Sequence, residues 1–450
     1  MSKNKTLLLS FCALSVLGFS CPAHADAVAQ QNLSPTQAQD ATGTMNASPS
    51  FSADGATQPN SPSVSAQQKA PEESSPYKLK LQYSGEEWDN TSGGRETGNV
   101  YMNNVDTQLD VNTSKAFGWT GGHAFFEGFY ESSRSVSKQL TNGSDSPSPI
   151  DSYGYEMFRF YQAYYDQTLG NTNILFGLWD PQSEFANTQT QNVFLNRNFS
   201  WNGVIDNSAS SLNYAGNYPW TAPVLRVRQK IDDQWTVLGA VGDGMADNPK
   251  HLGVNDILIH SDYGASFKGE VDYTPIARTK LYAGYFAYTG RQAAINQTNA
   301  DGSQHYIYGS DGGYIGGETR LYTYEGRRGL DAFANISVAD PTANELNRSA
   351  NTGLTYTGLL AARPNDKIGF AFAANGFGDP YRKYAESLGS SVVDYEKFYE
   401  LTYHAPINRW LRVQPDVQYM YEPTNVYGSP SEKDSLVFGI HFEIGRWFDL

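Results

Sequence analysis

Residues 396–450 read EKFYELTYHAPINRWLRVQPDVQYMYEPTNVYGSPSEKDSLVFGIHFEIGRWFDL. Three segments in this stretch alternate strictly. From Leu411 to Tyr421, Leu411, Val413, Pro415, Val417, Tyr419 and Tyr421 are apolar or aromatic, with Arg412, Gln414, Asp416 and Gln418 between them. From Leu436 to Ile444, Leu436, Phe438, Ile440, Phe442 and Ile444 interleave with Gly439, His441 and Glu443. Between Phe398 and Ala405, Tyr399, Leu401 and Tyr403 alternate with Glu400, Thr402 and His404. Period two marks a strand with two unlike faces. Here the polar face carries full charges, and the segments approach the roughly 9–11 residues that cross a bilayer. A soluble sandwich turns its apolar face inward. A membrane barrel turns it to lipid and the charges to a wet lumen. The stretch therefore predicts an all-β fold, a transmembrane antiparallel up-and-down β-barrel. Phe438 and Ile440 should face lipid, and His441 and Glu443 the lumen.

The start of the chain agrees. Residues 1–25 carry a basic tip (Lys3, Lys5), an apolar run from Leu7 to Phe19, and Ala23-His24-Ala25 before Asp26. This is the pattern of a secretory signal peptide with a small-residue cleavage site. No later stretch has 18 consecutive apolar residues. Entry into a membrane therefore requires a closed barrel, because an open sheet edge in lipid leaves backbone groups unpaired.

Composition narrows the function. Both cysteines, Cys12 and Cys21, fall in the signal, so the mature chain has no thiol chemistry. Removing Lys3 and Lys5 leaves 30 basic against 47 acidic residues, a net charge of −17. Such a chain is a poor nucleic-acid binder. The full sequence holds 30 tyrosines and 23 phenylalanines but only 39% hydrophobic residues. That suits a water-filled barrel with a thin apolar belt and aromatic girdles. Residues 26–76 are rich in Ala, Gln, Ser, Pro and Thr, with Phe51 as the single aromatic. They have too little apolar surface to offset chain entropy and read as a disordered segment.

From Tyr77 to Leu450 the chain parses into a barrel domain of sixteen strands: 77–83, 100–114, 124–132, 155–166, 174–179, 224–229, 235–241, 263–274, 281–289, 314–321, 330–338, 353–362, 368–375, 396–404, 411–421 and 435–444. Segments 155–166 and 235–241 alternate poorly, and one of them should carry a bulge. Short links alternate with long ones such as 84–99, 133–154, 180–223 and 290–313. Short periplasmic turns and long outer loops are the pattern of an outer-membrane barrel, and an even count puts both termini in the periplasm. Trp410, Tyr399, Tyr421 and Trp447 stand near strand ends, where amphipathic rings suit a membrane interface.

Several motifs occur in order. Asp110 is followed by Lys115-Ala116-Phe117-Gly118-Trp119-Thr120-Gly121-Gly122. Then come Phe176-Gly177-Leu178-Trp179-Asp180, Ser183-Glu184-Phe185 and Phe194-Leu195-Asn196. Thr221-Ala222-Pro223-Val224-Leu225-Arg226-Val227-Arg228 and Asp233-Gln234-Trp235-Thr236-Val237-Leu238 follow, and Gln414-Pro415-Asp416-Val417-Gln418-Tyr419 closes the series. The series resembles the carbohydrate-selective porins (OprB-type) of Gram-negative outer membranes. The resemblance runs from about Tyr77 to Ile444. It implies a sixteen-stranded barrel that passes monosaccharides and similar small hydroxylated solutes by passive diffusion. Its partners would be carbohydrates, outer-membrane lipid and the barrel assembly machinery; monomer and trimer are both open. The chain departs from the family pattern in running on from Gly445 to Leu450, and in its long 26–76 segment.

Sugar hydroxyls want charged or amide partners, and sugar ring faces want aromatic surfaces. By strand parity the inward candidates are Asp106, Asp110, Glu127, Arg226, Arg228, Glu318, Arg320, Asp331, Glu400, Arg412 and Asp416. Asp180 and Glu184 join them because they open the longest link. That link runs for 44 residues and holds Phe185, Phe194, Phe199, Trp201, Tyr214, Tyr218 and Trp220. It is too aromatic for a solvated loop and should fold into the barrel, with Arg226 and Arg228 beside Asp180 and Glu184. The pore-lining candidates are thus Asp180, Glu184, Arg226, Arg228, Glu127, Glu318, Arg320, Arg412 and Asp416. Enzyme signatures are missing: there is no Gly-x-Ser-x-Gly, His-Glu-x-x-His or P-loop, and no cofactor motif or metal site is assigned. A barrel-embedded hydrolase and a purely structural barrel are the alternatives. Asp243, Asp247, Asp301 and Asp311 sit in Gly-rich loops and read as solvated turn acids rather than calcium ligands.

Deleting residues 26–76 from the mature protein should leave heat-resistant migration and channel conductance intact. Loss of membrane insertion on deletion would make the segment part of the fold.

Overall fold

The computed structural model describes residues 75–201, 203–206, 218–246, 251, 254–257, 261–424 and 432–450. The expected signal peptide, all but the end of the 26–76 segment, Asp247 and residues 207–217 lie outside the described residues.

All sixteen expected strands form. They are β1 (Tyr77–Gly94), β2 (Gly98–Asn112), β3 (Gly122–Glu131), β4 (Met157–Leu169), β5 (Thr172–Trp179), β6 (Ala222–Lys230), β7 (Trp235–Asp243), β8 (Ala265–Tyr273), β9 (Thr279–Thr298), β10 (Gln304–Thr323), β11 (Gly329–Ala339), β12 (Leu346–Thr357), β13 (Lys367–Phe377), β14 (Tyr395–Pro406), β15 (Leu411–Tyr421) and β16 (Lys433–Asp449). Each pairs antiparallel with its sequence neighbour, and β1 pairs with β16 to close the barrel. That seam runs from Lys78 opposite Asp449 to Gly94 opposite Lys433. At its end Leu450 N donates to Tyr77 O at 3.0 Å. The run beyond Ile444 is therefore the periplasmic end of β16, and Phe448 continues its outward register.

The alternation resolves as expected. Ile440 is 52% exposed on the outer face, whereas His441 is 1% exposed inside. Around the barrel Leu81, Phe126, Phe176, Leu225, Val227, Phe267, Ile315, Ile336, Phe370 and Leu401 form the exposed outer belt. At the outer rim Tyr130, Tyr285 and Tyr419 donate to Glu156, Asp311 and Asp434 at 2.8, 2.7 and 2.5 Å. On the periplasmic side Trp235 stacks on its cross-strand partner Tyr273 at 4.3 Å. Trp410 packs there against Phe448, with the Arg446 guanidinium 4.0 Å from its ring. Trp447 departs from the expected girdle. It stands opposite buried Lys80, which puts it on the lumen face of the periplasmic mouth.

The expected bulge lies in β4. Its register against β3 shifts between Glu127 and Gly128, whose partners are Gln162 and Phe160. The strand β7 pairs with both neighbours without a shift. Two expected long links are corrected. β1 runs on to Gly94, so the chain reverses within 95–97, and β9 and β10 extend until only 299–303 joins them. These segments alternate weakly because they rise past the apolar belt, where the outer face need not be greasy. The strand expected at 353–362 also lies earlier, at Leu346–Thr357.

The lumen is not simply water-filled. Loop 132–156 and the described parts of loop 180–221 are largely buried inside, and their apolar side chains join those of the inner wall in three clusters.

Replacing Ile440 with Arg should cost about 2–4 kcal/mol of folding stability, and Gln82→Arg on the inner face about 1 kcal/mol or less. Urea titration of the lipid-reconstituted barrel reads both; equal costs would contradict the register. Gln82 carries no charge of its own, whereas nearby inward Glu443 pairs with Arg412 and His441, so that a change there would break ion pairs as well.

Candidate functional site: the loop-narrowed lumen

The polypeptide leaves β5 at Trp179 and turns into the barrel at once. Pro181 stops the strand ladder, and the Asp180 carboxylate accepts from Gln182 N at 2.9 Å, capping a 3₁₀ turn with Pro at its first position. Aromatic side chains then seat the loop. Phe185 packs edge-on to Trp179 at 6.2 Å, and Trp201 Nε1 donates to Phe185 O at 2.8 Å. Phe194 lies 5.3 Å from Phe199 and 5.8 Å from Phe333 of β11. Gly369 of β13 makes room for it: a Cβ there would come within 2.9 Å of the Phe194 ring.

Three wall glutamates hold the loop backbone. Glu270 of β8 accepts from Ala186 N at 2.6 Å. Glu318 of β10 accepts from Thr190 N and Oγ1 at 2.8 and 2.7 Å. Glu400 of β14 accepts from Leu195 N and Asn196 N at 2.7 and 2.8 Å. Asn351 and Gln414 donate to the carbonyls of Asn198 and Val193 at 2.6 and 2.8 Å. The loop thus crosses the lumen from β5 to β15. Each glutamate bond to a loop N–H also satisfies a group that would otherwise be buried without a partner.

The second inward loop, 132–156, lacked a sequence signal of comparable force. Its two aromatics are Tyr153 and Tyr155, and it is rich in serine. Asp151 organises it, accepting from Ser137 N (2.9 Å), Ser137 Oγ (2.6 Å), Ser146 Oγ (2.8 Å) and Tyr153 N (2.8 Å). It is tied to the wall through Ser144 N to Glu396 at 3.2 Å, Gln418 Nε2 to Pro147 O at 2.8 Å, and Ser148 Oγ to Glu86. Arg197 N donates to Ser146 O at 3.1 Å, joining the two loops. The readable hint was the pair of aspartates amid serines, Asp145 and Asp151, since a carboxylate can satisfy several short donors at once.

The pore-lining candidates separate into two levels. At mid-height, Arg226 pairs with Glu184 at 2.6 Å. Its guanidinium lies 5.5 Å from the Trp179 ring centre and also reaches Asn173 Oδ1. The expected meeting of β6 and the loop's acids is therefore met by Arg226 with Glu184, while the Asp180 carboxylate serves its own turn. Glu127 accepts from Gln108 and Gln162 at 2.9 and 2.6 Å. Asp416 accepts from Gln418 at 2.9 Å. Toward the periplasm, Arg228 follows one pleat below Arg226. Arg320 forks onto Asp331 at 2.5 and 2.9 Å, and Arg412 pairs with Glu443. Glu318 is engaged as a loop anchor. The wall charges are thus mostly paired, and the face they present is polar and mixed in sign. Sequence reasoning did not single out Glu270, Gln162, Gln108 or Asn375, whose amide or carboxylate groups frame the same space.

Comparison with known proteins places this geometry. The family model described as carbohydrate-selective porin, OprB family, matches residues 96–445. Porin B of Pseudomonas aeruginosa is 25% identical over 413 residues, covering 82% of this chain and 87% of the relative. The high-pH structure of Pseudomonas putida OprB is similar with a TM-score of 0.72 at 23% identity, over 82% of this chain and 94% of that one. The outer membrane channel DcaP of Acinetobacter baumannii shares the fold more distantly, with a TM-score of 0.50 at 10% identity over 82% of this chain and 97% of that one. A closed sixteen-strand barrel with a greasy outer belt, a charged inner wall and that match over most of its length belongs to the OprB family of carbohydrate-selective porins of the outer membrane.

Proposed function

We propose that this porin passes monosaccharides and similar small hydroxylated solutes by passive diffusion through the gap left between the inward loop 180–221 and the wall. Glu127, Asp180, Glu184, Arg226, Arg228, Arg320, Arg412 and Asp416 are its polar lining, with Glu318 acting through the loop it holds. The observation that carries this reading is the Arg226–Glu184 pair over Trp179. A neutralised ion pair offers donors and acceptors without a single-sign field that would favour an ion. The buried Trp179 indole lies beneath the guanidinium and holds the pair in place at the wall. Contacts with such a pair are individually weak, and a channel needs binding weak enough to allow exit. Passive diffusion needs no nucleotide, cofactor or catalytic group. Outer-membrane lipid and the barrel assembly machinery are the macromolecular partners of this reading.

Replacing both Arg226 and Arg228 with Ala should weaken glucose block of the single-channel current and shift ion selectivity toward cations, because Glu184 is left unpaired. Heat-resistant migration checks that the barrel has formed. Unchanged glucose response together with unchanged selectivity would place the constriction elsewhere and remove both arginines from the site.

A further inference from the structure

Most charged groups near the periplasmic end of the lumen are paired. His123 stands between Asp110 and Asp166 at 3.3 and 2.9 Å. Lys280 reaches Asp272 and Glu270 at 3.1 and 3.4 Å. Arg320 holds Asp331, and Arg412 holds Glu443. Between these last two pairs lies a different sector. Lys367 of β13 and His404 of β14 are direct cross-strand partners there. Both have inward parity, His404 with Glu400 and Lys367 with Ala371 and Ala373. His404 is 5% exposed, and neither ring nitrogen has a hydrogen-bond partner. Among the described residues the Lys367 ammonium makes no hydrogen bond or ion pair. The register of β14 on β15, with Thr402 opposite Asp416 and Ala405 opposite Val413, sets Gln414 opposite His404. Gln414 Nε2 is used by Val193 O and Thr402 Oγ1 at 2.8 and 2.9 Å, while its buried Oε1 has no partner.

The charged groups around this sector are Arg412, Glu443 and His441 on the His404 side, and Asp331, Arg278, Glu318 and Arg412 on the Lys367 side. Each carboxylate among them is already engaged: Asp331 by Arg320, Glu443 by Arg412, Glu318 by Thr190. Lys367 therefore has no counter-charge of its own. Buried polar atoms without partners call for an explanation, and three of them here lie on the two strands beside an uncompensated cation.

We propose that Lys367, His404 and Gln414 form a subsite for carboxylate-bearing carbohydrates, aldonates and uronates, just periplasmic of the inward loop. The chemistry of the three groups selects this class. The ammonium is a compact cation with three donors and meets a carboxylate. A neutral imidazole has one donor and one acceptor nitrogen. Its donor serves the same carboxylate, and its acceptor takes a hydroxyl proton. Gln414 Oε1 takes a second hydroxyl proton. Chloride would leave both acceptors unsatisfied, and hydrogen phosphate, with one O–H, would leave at least one of them so. A neutral sugar would leave the ammonium without a counter-charge. A hydroxylated acid satisfies all three groups.

The proposal rests on the sugar-diffusion reading above, and one experiment separates their failures. The full mature chain is reconstituted in a planar bilayer at constant ionic strength, and current is titrated with glucose, gluconate or acetate. Gluconate should reduce the current at about threefold lower concentration than glucose, the scale of one solvated ion pair. Acetate, which lacks hydroxyls, should have no comparable effect. Lys367→Gln should abolish the gluconate advantage while keeping the glucose response and heat-resistant migration, and Lys367→Arg should retain it. Glucose block with no gluconate advantage in the unmodified protein would remove the subsite alone. A full advantage persisting in Lys367→Gln would also overturn it. No response to either sugar would remove the sugar-diffusion reading and the subsite with it.

Discussion

Hydrocarbon offers no partner to a backbone N–H or C=O, and that constraint shapes the rest of the molecule. A sheet placed in lipid must close on itself. The pairing of β1 with β16 does so, and its register brings the last residue of the chain level with Tyr77. Once the sheet is closed, period-two alternation becomes a division between two solvents. Leu225 and Val227 go to lipid, and Arg226 between them goes to the lumen. One pleat decides whether a side chain is anchored in oil or available to a solute.

Closure creates a second problem. A sixteen-strand barrel encloses more space than wall side chains can fill. The chain fills part of it with its own loops. The loop backbone still needs partners, and the wall supplies them as carboxylates. Glu270, Glu318 and Glu400 each accept loop N–H groups at 2.6–2.8 Å. The acidic balance of the sequence thus has a structural use inside the barrel besides any contact with solute. Aromatic side chains on the loop give it a dry underside against β11 and β13, while Arg226 and Glu184 keep its edge polar.

The strand pattern was legible because lipid enforces it: the parity of Leu411–Tyr421 and Leu436–Ile444 carried straight into the structure. Where β1, β9 and β10 rise above the apolar belt, lipid no longer enforces alternation, and the expected ends at 83, 289 and 314 fell short of the observed 94, 298 and 304. The inward course of the described parts of loop 180–221 was readable from its aromatics. That of loop 132–156 was not, because serine and aspartate look alike in a solvated loop and in a polar interior. Of the candidate residues on strands, the facing of each followed from parity. Its partner did not, since Arg226 finds Glu184 only after the loop has folded back, and Glu318 becomes an anchor only when Thr190 arrives.

The central claim is that wall carboxylates hold the inward loop, and that the loop sets the size and sugar response of the pore. Glu318→Ala combined with Glu400→Ala removes the acceptors of Thr190, Leu195 and Asn196 without touching the outer face. Single-channel recording of this variant, with and without glucose, tests the claim most directly. The account predicts a larger conductance and a weaker glucose block in a barrel that still migrates as heat-resistant. Conductance and glucose block both unchanged from the unmodified protein would contradict it.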